Sequence, residues 1–309
     1  MESNQRISEI LVETGAYTDL DQPVILTSGA LGIYYINTEK LCQDGGKFNE
    51  FGDSSSQMID HAVKMMKEHP TFEEVIDILA EKPKEIIGDK EKVAAVSGGQ
   101  RRDWLFSGPI AVKLGVPHIS LYKKGHKEML DIDKDGKLKG TKYDPVYMDG
   151  HYAVHIVDLI TEASSCYSQE GKSGWIPMLR DGGVTIDNLL AVVTRQQGGE
   201  ERLAEQGVHV TPFAAIDEEF LMTYSKDPER ALAYQADPEK WSRNYLSEHG
   251  ALALLPAFNP DGGKLDRAKK FLNRYRSVLC MSGGIHELDK AARDNYGRDL
   301  KELFGGEQK

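Results

Sequence analysis

Short apolar runs with many β-branched residues alternate with helical segments through the middle of this chain. The runs KVAAVSGG, PHISLYKK and HYAVHIVDLI have the length of buried strands, and the helical segment SGPIAVKLG separates the first two. Two further strand-like runs, VTIDNLLAVVT and VHVTPFAAI, follow. Because parallel strands need long crossover connections, usually helices, this order predicts a mainly parallel sheet of the α/β class.

The composition argues against a membrane protein and against a general nucleic-acid binder. Hydrophobic residues make up 40% of the chain, and no apolar run approaches the roughly 18 residues that a membrane helix needs. The net charge of -11 opposes binding to a phosphate backbone, which depends on lysine and arginine. We therefore expect neither a membrane nor nucleic acid as a partner, while a local basic pocket could still bind a small anion.

The N-terminal sequence and the cysteines bear on location and redox chemistry. The segment MESNQRISEILVETGAY is polar and acidic, whereas a secretory signal is basic and then apolar, so we expect a cytoplasmic protein. Cys42, Cys166 and Cys280 lie far apart and form no metal-binding or disulfide pattern. We expect free thiols, and for Cys166 a packed or surface thiol is favoured over a nucleophile because no base pairs with it in the sequence.

Two loops carry patterns of known chemistry. The stretch HIVDLITEASS, residues 155–165, has a strand followed by a loop of small residues, which is how many α/β proteins bind phosphate. The segment DIDKDG, residues 131–136, superficially resembles a calcium loop. Its twelfth position is Lys142, where a bidentate glutamate is required, so we predict an Asp-Gly turn in a β-hairpin instead.

Five segments, in order and spacing, resemble the type I phosphoribosyltransferases, and most closely the orotate phosphoribosyltransferases. They are LTSGALGIYYIN, VSGGQRRDW, KLGVPHISLYKKGHKEML, VHIVDLITEASS and TRQQGG. The resemblance covers roughly residues 1–249, in which 1–50 include an N-terminal hood segment, and it leaves 250–309 as a mostly helical C-terminal extension. It implies a central, mainly parallel sheet with helices on both faces and the ligand at the carboxyl ends of the strands.

The resemblance also implies a reaction, the transfer of phosphoribosyl from 5-phosphoribosyl 1-pyrophosphate (PRPP) to orotate in pyrimidine biosynthesis, by a homodimer with Mg²⁺. The 5′-phosphate would be bound by Thr161, Ser164 and Ser165, at the start of a helix whose dipole favours an anion. The pyrophosphate would be bound by Arg101 and Arg102, which follow two glycines.

Further roles carry over residue by residue. Asp158 keeps one half of the family's acidic pair, which serves the ribose hydroxyls and, indirectly, the metal. Lys123 and His126 match cationic residues of the family's mobile catalytic loop. Ser28 and Arg195 match residues that contact the base, and a bidentate arginine suits the carboxylate of orotate.

Several positions depart from the family's pattern: Val157 in the acidic pair, Glu162 and Ala163 in the phosphate loop, Thr27 where the family has lysine, and Tyr122 in the catalytic loop. Three hypotheses therefore stay open. The first is a transferase of the orotate type, the second a non-catalytic relative that binds a nucleotide or another anionic ligand, and the third a phosphoribosyltransferase with a different acceptor. An unrelated dinucleotide-binding fold is disfavoured because no GxGxxG follows the first strand.

Each site residue also has an interpretation without a ligand. Asp158 could cap a helix, and TEASS could be a capped helix start with an exposed glutamate. Arg101 and Arg102 could simply solvate a loop. Lys123 and His126 could belong to an ordinary solvated hairpin.

Overall fold

The computed structural model describes residues 2–88, 95–132, 138–141, 143–168, 173–262 and 265–304. The chain forms two compact units, the first made of Met1–Ala16 and Asn37–Phe220 and the second of Tyr17–Ile36 and Leu221–Lys309. The boundary predicted at residue 249 marks where the family resemblance ends, and it stays a prediction, as does the hood role of residues 1–50.

The first unit is built around a sheet that has seven strands in the described residues. The strands are β3 (Ala95–Gly99), β4 (His118–Leu121), β5 (Lys127–Ile132), β6 (Leu138–Thr141), β7 (Tyr152–Ile160), β8 (Thr185–Thr194) and β9 (His209–Ala215). Their order is β6-β5-β4-β3-β7-β8-β9, with β5 and β6 antiparallel to their neighbours and the other five strands parallel. The mainly parallel sheet predicted from the sequence is confirmed.

Helices cover this sheet on both faces. The helices of the first unit are, in chain order, α1 (Glu2–Glu13), α2 (Ser55–Glu68), α3 (Pro70–Gly88), α4 (Trp104–Leu114), α5 (Pro145–Met148), α6 (Trp175–Asp181) and α7 (Gly199–Ala204), with two 3-10 helices at Thr38–Cys42 and Lys47–Phe51. The next helix, α8 (Glu218–Tyr224), begins in the first unit and ends in the second. Ile119 of β4 belongs to the same apolar cluster as Ile176 of α6, whereas its neighbour His118 contacts Ser107 of α4. Because alternate strand residues point to opposite faces, α4 and α6 lie on opposite faces of the sheet.

Burial on both faces explains the composition of the central strands. All five residues of β3 are buried, and the last six residues of β8, 189–194, form one continuous buried run. Such strands carry apolar runs instead of an apolar–polar alternation, which is typical of parallel sheets covered by helices. The prediction of the central strands was based on these apolar runs.

The hairpin of β5 and β6 continues the sheet beyond β4. Asp131 pairs with Lys139 across the two antiparallel strands, so the segment that superficially resembles a calcium loop connects the two strands of a hairpin. The predicted Asp-Gly turn, at residues 133–137, lies outside the described residues, as does Lys142. The antiparallel pairing agrees with the hairpin interpretation.

The second unit has its own sheet and its own core. Its elements are β1 (Tyr17–Ile25), β2 (Leu31–Ile36), α9 (Pro228–Ala236), α10 (Pro238–His249), α11 (Leu265–Met281), α12 (Gly284–Tyr296), α13 (Leu300–Leu303) and two 3-10 helices, Leu252–Phe258 and Pro260–Gly262. The strands β1 and β2 form an antiparallel hairpin. The hydroxyl of Tyr234 in α9 donates to the carbonyl of Leu31 at 2.8 Å. The predicted helical C-terminal extension is confirmed, and none of the described helices has the length and apolar character needed to span a bilayer.

Two histidines are buried in the central sheet. His155 of β7 is fully buried with Nδ1 2.9 Å from the hydroxyl of Ser97, and His118 is fully buried between the hydroxyls of Ser107 and Ser120. Burial lowers the pKa of each imidazole to about 3, because a charged ring would lose its hydration. Both rings are therefore neutral in the folded protein near pH 7.

We predict that these histidines make the fold sensitive to mild acid. In the unfolded chain each imidazole takes up a proton below its ordinary pKa, whereas in the folded protein it stays neutral until about pH 3. The free energy of unfolding should therefore fall as the pH drops below about 6.5, by about 2 kcal/mol per histidine between pH 7 and pH 5. Urea unfolding at both pH values should show that the His155→Asn variant loses about 2 kcal/mol less between pH 7 and pH 5 than the unchanged protein does. If the variant loses as much as the unchanged protein, His155 is not a neutral buried histidine.

Candidate functional site

The carboxyl ends of four parallel strands meet at one edge of the sheet in the first unit. Because β4, β3, β7 and β8 are consecutive neighbours, the segments that follow them lie side by side. These segments are residues 100–103 after β3, 122–126 after β4, 161–168 after β7 and 195–198 after β8. The structure thus brings together all the sequence-predicted site residues except Ser28, which belongs to the second unit.

Asp158 lies within β7, two residues before the strand ends, and does not cap a helix. Its Oδ2 accepts a hydrogen bond of 2.7 Å from the hydroxyl of Thr38. Its backbone amide donates at 3.0 Å to Oδ1 of Asp103, whose Oδ2 accepts from the amide of Gly99, also at 3.0 Å. Thus the predicted Asp158 is part of a cluster whose other members, Thr38 and Asp103, the sequence analysis did not identify.

Asp103 is the buried member of a pair of carboxyl groups. Only 7% of Asp103 is exposed, whereas Asp158 is partly exposed. Burial raises the pKa of Asp103 well above its ordinary value, and the charge of the neighbouring Asp158 adds to the increase. A buried carboxyl group with a raised pKa therefore lies beside the partly exposed carboxyl group of Asp158.

Arg101 and Arg102, the two arginines predicted to bind pyrophosphate, both contact the segment that contains the two 3-10 helices of the first unit. Nε of Arg102 lies 2.7 Å from Oε1 of Glu39 in an ion pair. The guanidinium of Arg101 donates to Oδ1 of Asn49 at 3.2 Å and lies 4.9 Å from the ring centre of Phe48. The side chains are thus fixed beside the end of β3 by specific partners, which differs from arginines that only solvate a loop.

The predicted phosphate loop forms a turn, and the expected helix start is not there. Among the described residues after β7, 161–168 form turns and bends, and the next helix begins at Trp175. Ala163 has a left-handed backbone with φ of 52°, and its carbonyl accepts from the amides of Cys166 and Tyr167. These two bonds close a single turn, and the described residues up to 168 do not continue it as a helix. The prediction that a helix dipole contributes to this site is wrong.

The loop nevertheless presents a row of hydrogen-bond donors. In the described part of the chain, the backbone N–H groups of residues 162–165 donate to no protein acceptor. The hydroxyls of Thr161, Ser164 and Ser165 lie on the same short segment, and Ser164 and Ser165 are exposed. Successive amides in a turn that contains a left-handed residue form an anion-binding concavity. The donors therefore suit a phosphate without a helix.

Glu162, whose charge opposes an anion, is exposed, and its carbonyl accepts a hydrogen bond of 3.0 Å from Arg202. The loop after β8 packs closely against this segment. A Cβ on Gly199 would come within 2.6 Å of the carbonyl oxygen of Thr161, so only glycine allows this approach. Gly199 and Arg202 of α7 thus support the loop.

Lys123 and His126 lie on the tight turn between β4 and β5. The amide of Tyr122 donates to the carbonyl of His126 at 2.9 Å, which closes the turn. The amide of Lys123 donates to Oε1 of Gln100 at 2.9 Å, and this contact joins the turn to the segment after β3. Both Lys123 and His126 are exposed at the edge where the ligand is expected.

Tyr122 has a packing role that explains the departure from the family's pattern. Its hydroxyl donates to Oε2 of Glu128 at 2.7 Å, and Ser55 donates to the same oxygen at 2.8 Å. Its ring lies edge-on to Trp104, with the ring centres 4.9 Å apart. Tyr122 therefore anchors the hairpin to α2 and α4 in place of presenting a charge.

The predicted base-contacting residues lie in different units, and their joint role stays a prediction. Arg195 follows β8 and is 4% exposed, with its amide bonded to the carbonyl of Ile160. In the second unit, the hydroxyl of Ser28 accepts from the amide of Ala30. There the ammonium of Lys270, from α11, donates to the carbonyl of Thr27 at 3.3 Å. A lysine from the C-terminal extension thus lies at the turn where the family carries its own lysine.

The described residues contain no cluster of three histidine, cysteine, aspartate or glutamate side chains that could hold a metal ion. Cys166 is buried, and burial raises the pKa of its thiol well above the ordinary value. The sequence interpretation of Cys166 as a packed thiol is confirmed.

The sequence of this chain is similar to the sequences of orotate phosphoribosyltransferases. No protein-family model matches it. An orotate phosphoribosyltransferase of Thermoplasma volcanium is 24% identical over 212 residues, which cover 69% of this chain and 98% of that protein. The orotate phosphoribosyltransferase of Halobacterium salinarum is 32% identical over 101 residues, covering 32% of this chain and 49% of that protein. These relatives support a relationship with the type I phosphoribosyltransferases, at low identity.

The chain is also similar to solved structures. The orotate phosphoribosyltransferase from Aeropyrum pernix has a TM-score of 0.46 and 19% identity, with 70% of this chain and 98% of that chain covered. The UMP synthase of Leishmania donovani has a TM-score of 0.49 and 16% identity, with 76% of this chain and 42% of that chain covered.

The left-handed backbone at Ala163 gives a prediction for stability. Replacement of a buried alanine by glycine normally costs about 1 kcal/mol or more through chain entropy and lost packing. At Ala163 the release of left-handed strain, about 1–2 kcal/mol, should offset this cost, so Ala163→Gly should change the free energy of unfolding by less than about 0.5 kcal/mol. Ala111→Gly, at a buried position inside α4, is the matched control and should be clearly destabilising in urea unfolding. Equal losses in the two variants would show that Ala163 is not left-handed.

Proposed function

We propose that this protein transfers phosphoribosyl from PRPP to orotate or a related base. The observation that carries the proposal is the row of amides at residues 162–165, which lies on the loop that directly follows the strand of Asp158. An anion site next to a carboxylate suits a ligand with a phosphate at one end and ribose hydroxyls beside it. The named relatives, which are orotate phosphoribosyltransferases, support the same reaction.

Each part of PRPP has a proposed partner. The 5′-phosphate would accept hydrogen bonds from the amides of 162–165 and from the hydroxyls of Thr161, Ser164 and Ser165. Asp158 would accept hydrogen bonds from the ribose hydroxyls. The diphosphate would lie near Arg101, Arg102 and Lys123, which follow β3 and β4.

The reaction needs positioning and charge balance more than covalent chemistry. A nitrogen of the base forms a bond to the anomeric carbon as the bond from that carbon to the diphosphate oxygen breaks, the proton on that nitrogen is lost to water, and the pyrophosphate leaves with the bonding electrons. Positive charge on the ribose in the transition state would be stabilised by Asp158, and negative charge on the leaving group by Lys123 and His126. In the resemblance these loop residues act on the neighbouring subunit, so the proposal includes a homodimer.

Mg²⁺ would arrive with the diphosphate. The first unit offers Asp158 as one accessible carboxylate, and Mg²⁺ usually takes one or two carboxylates together with substrate phosphates and water. This donor set fits such an ion and would not hold it without the substrate. When bound, the ion would neutralise part of the diphosphate charge.

A second candidate function is the binding of an anionic ligand, such as a nucleotide, without transfer. The observation that favours it is the ion pair between Arg102 and Glu39, because it engages an arginine that the transfer reaction would use for pyrophosphate. A ligand with a single phosphate would leave this ion pair intact.

Calorimetric titration with PRPP and Mg²⁺ tests the site without assuming a base. We expect micromolar binding, roughly -8 kcal/mol. Asp158→Asn should weaken binding by about tenfold or more because a charged acceptor is lost. Asp181→Asn, at an exposed position in α6, is the matched control and should bind as the unchanged protein does. No detectable binding at millimolar PRPP would contradict the proposed function.

Turnover separates the two candidate functions. Orotate-dependent release of pyrophosphate from PRPP should occur if the transferase proposal is right, and Arg195→Lys should raise the KM for orotate more than that for PRPP because the planar fork is lost. PRPP binding without pyrophosphate release in the presence of orotate or other pyrimidine and purine bases would support the second candidate.

A further inference from the structure

Asp103 occupies the N-cap position of α4, yet its side chain does not cap that helix. The amides of the first helical turn are satisfied by backbone carbonyls instead. Trp104 donates to the carbonyl of Arg101 at 3.2 Å, and Phe106 donates to the carbonyl of Asp103 at 3.1 Å. The usual use of aspartate at a helix start therefore does not account for this carboxylate.

The carboxylate of Asp103 instead extends the pairing between the two central strands. The last pair in the β3–β7 ladder is Gly98 with Ile156, and β3 turns away after Gly99. One oxygen of Asp103 accepts from the amide of Gly99 and the other from the amide of Asp158, each at 3.0 Å. The side chain thus supplies acceptors to both strands where the ladder has ended.

This arrangement fixes Asp158 from two directions. Asp103 holds its backbone amide, and Thr38 donates to its carboxylate at 2.7 Å. The same Asp103 follows Arg101 and Arg102 directly in the sequence, so one buried residue joins the segment with the arginines to the strand that carries the site carboxylate. A buried carboxylate is costly for a fold unless its hydrogen bonds compensate, and both oxygens here have partners.

We propose that Asp103 is a positioning residue for the ligand site. It sets the distance between the carboxylate of Asp158 and the arginines after β3, so that both can contact one ligand. Its carboxylate is buried and does not itself touch the ligand. This inference rests on the proposed function, since the ligand is the one proposed above.

The test is a double-mutant cycle on binding of PRPP with Mg²⁺, measured by calorimetry. Asp103→Asn keeps one acceptor oxygen and turns an NH₂ group toward one of the two amides, so binding should weaken by about tenfold or more. If Asp103 acts through Asp158, the same change in an Asp158→Asn background should weaken binding by less than about twofold further. A merely structural role would give the same loss in both backgrounds. Asp181→Asn is the matched control.

Folding is checked separately by thermal unfolding of each variant. Should Asp103→Asn fail to fold, the cycle is made with Asp103→Ser, a smaller residue that also keeps one acceptor oxygen, under the same criteria. Equal binding by the unchanged protein and the Asp103 variant, or equal losses in the two backgrounds, would overturn this inference alone. Failure of the unchanged protein to bind PRPP would contradict the proposed function, and the inference with it.

Discussion

The parallel pairing of β3 with β7 is the interaction on which the candidate site depends. It places the segment 100–103, which carries two arginines, beside the strand that carries Asp158 and beside the loop 161–168. The ladder between β3 and β7 ends at Gly98, and the carboxylate of Asp103 joins the two strands beyond it. The positions of the two arginines, Asp158 and the loop 161–168 follow from this one junction, because each lies within a few residues of it.

The site combines acidic and basic groups in a way that limits its ligands. Glu39 and Asn49 hold the arginines, and Asp158 supplies a partly exposed carboxylate at the strand ends, beside the buried Asp103. In the proposed site, an anion would bind through the amides of 162–165 and the cations while avoiding the carboxylates. A sugar phosphate satisfies both requirements, because its phosphate accepts hydrogen bonds and its hydroxyls donate them.

The sequence predicted the parts of the molecule that depend on local pattern. The apolar runs located the central strands, and the order of segments located Asp158, Arg101 and Lys123 at one edge of the sheet. Thr38, Glu39 and Asp103 were missed because their partners lie 120, 63 and 55 residues away, a separation that no local pattern reveals. The helix predicted directly after β7 was wrong, because residues 161–168 form only a single turn. The left-handed backbone of Ala163 in this loop could not be predicted, because alanine's own preference opposes it.

The measurement that tests the site most directly is a crystal structure of the protein with PRPP and Mg²⁺. The proposed site predicts that the oxygens of the 5′-phosphate lie within about 3 Å of the amides of residues 162–165, with the ribose hydroxyls against Asp158. A PRPP molecule bound with its 5′-phosphate away from this loop would contradict it.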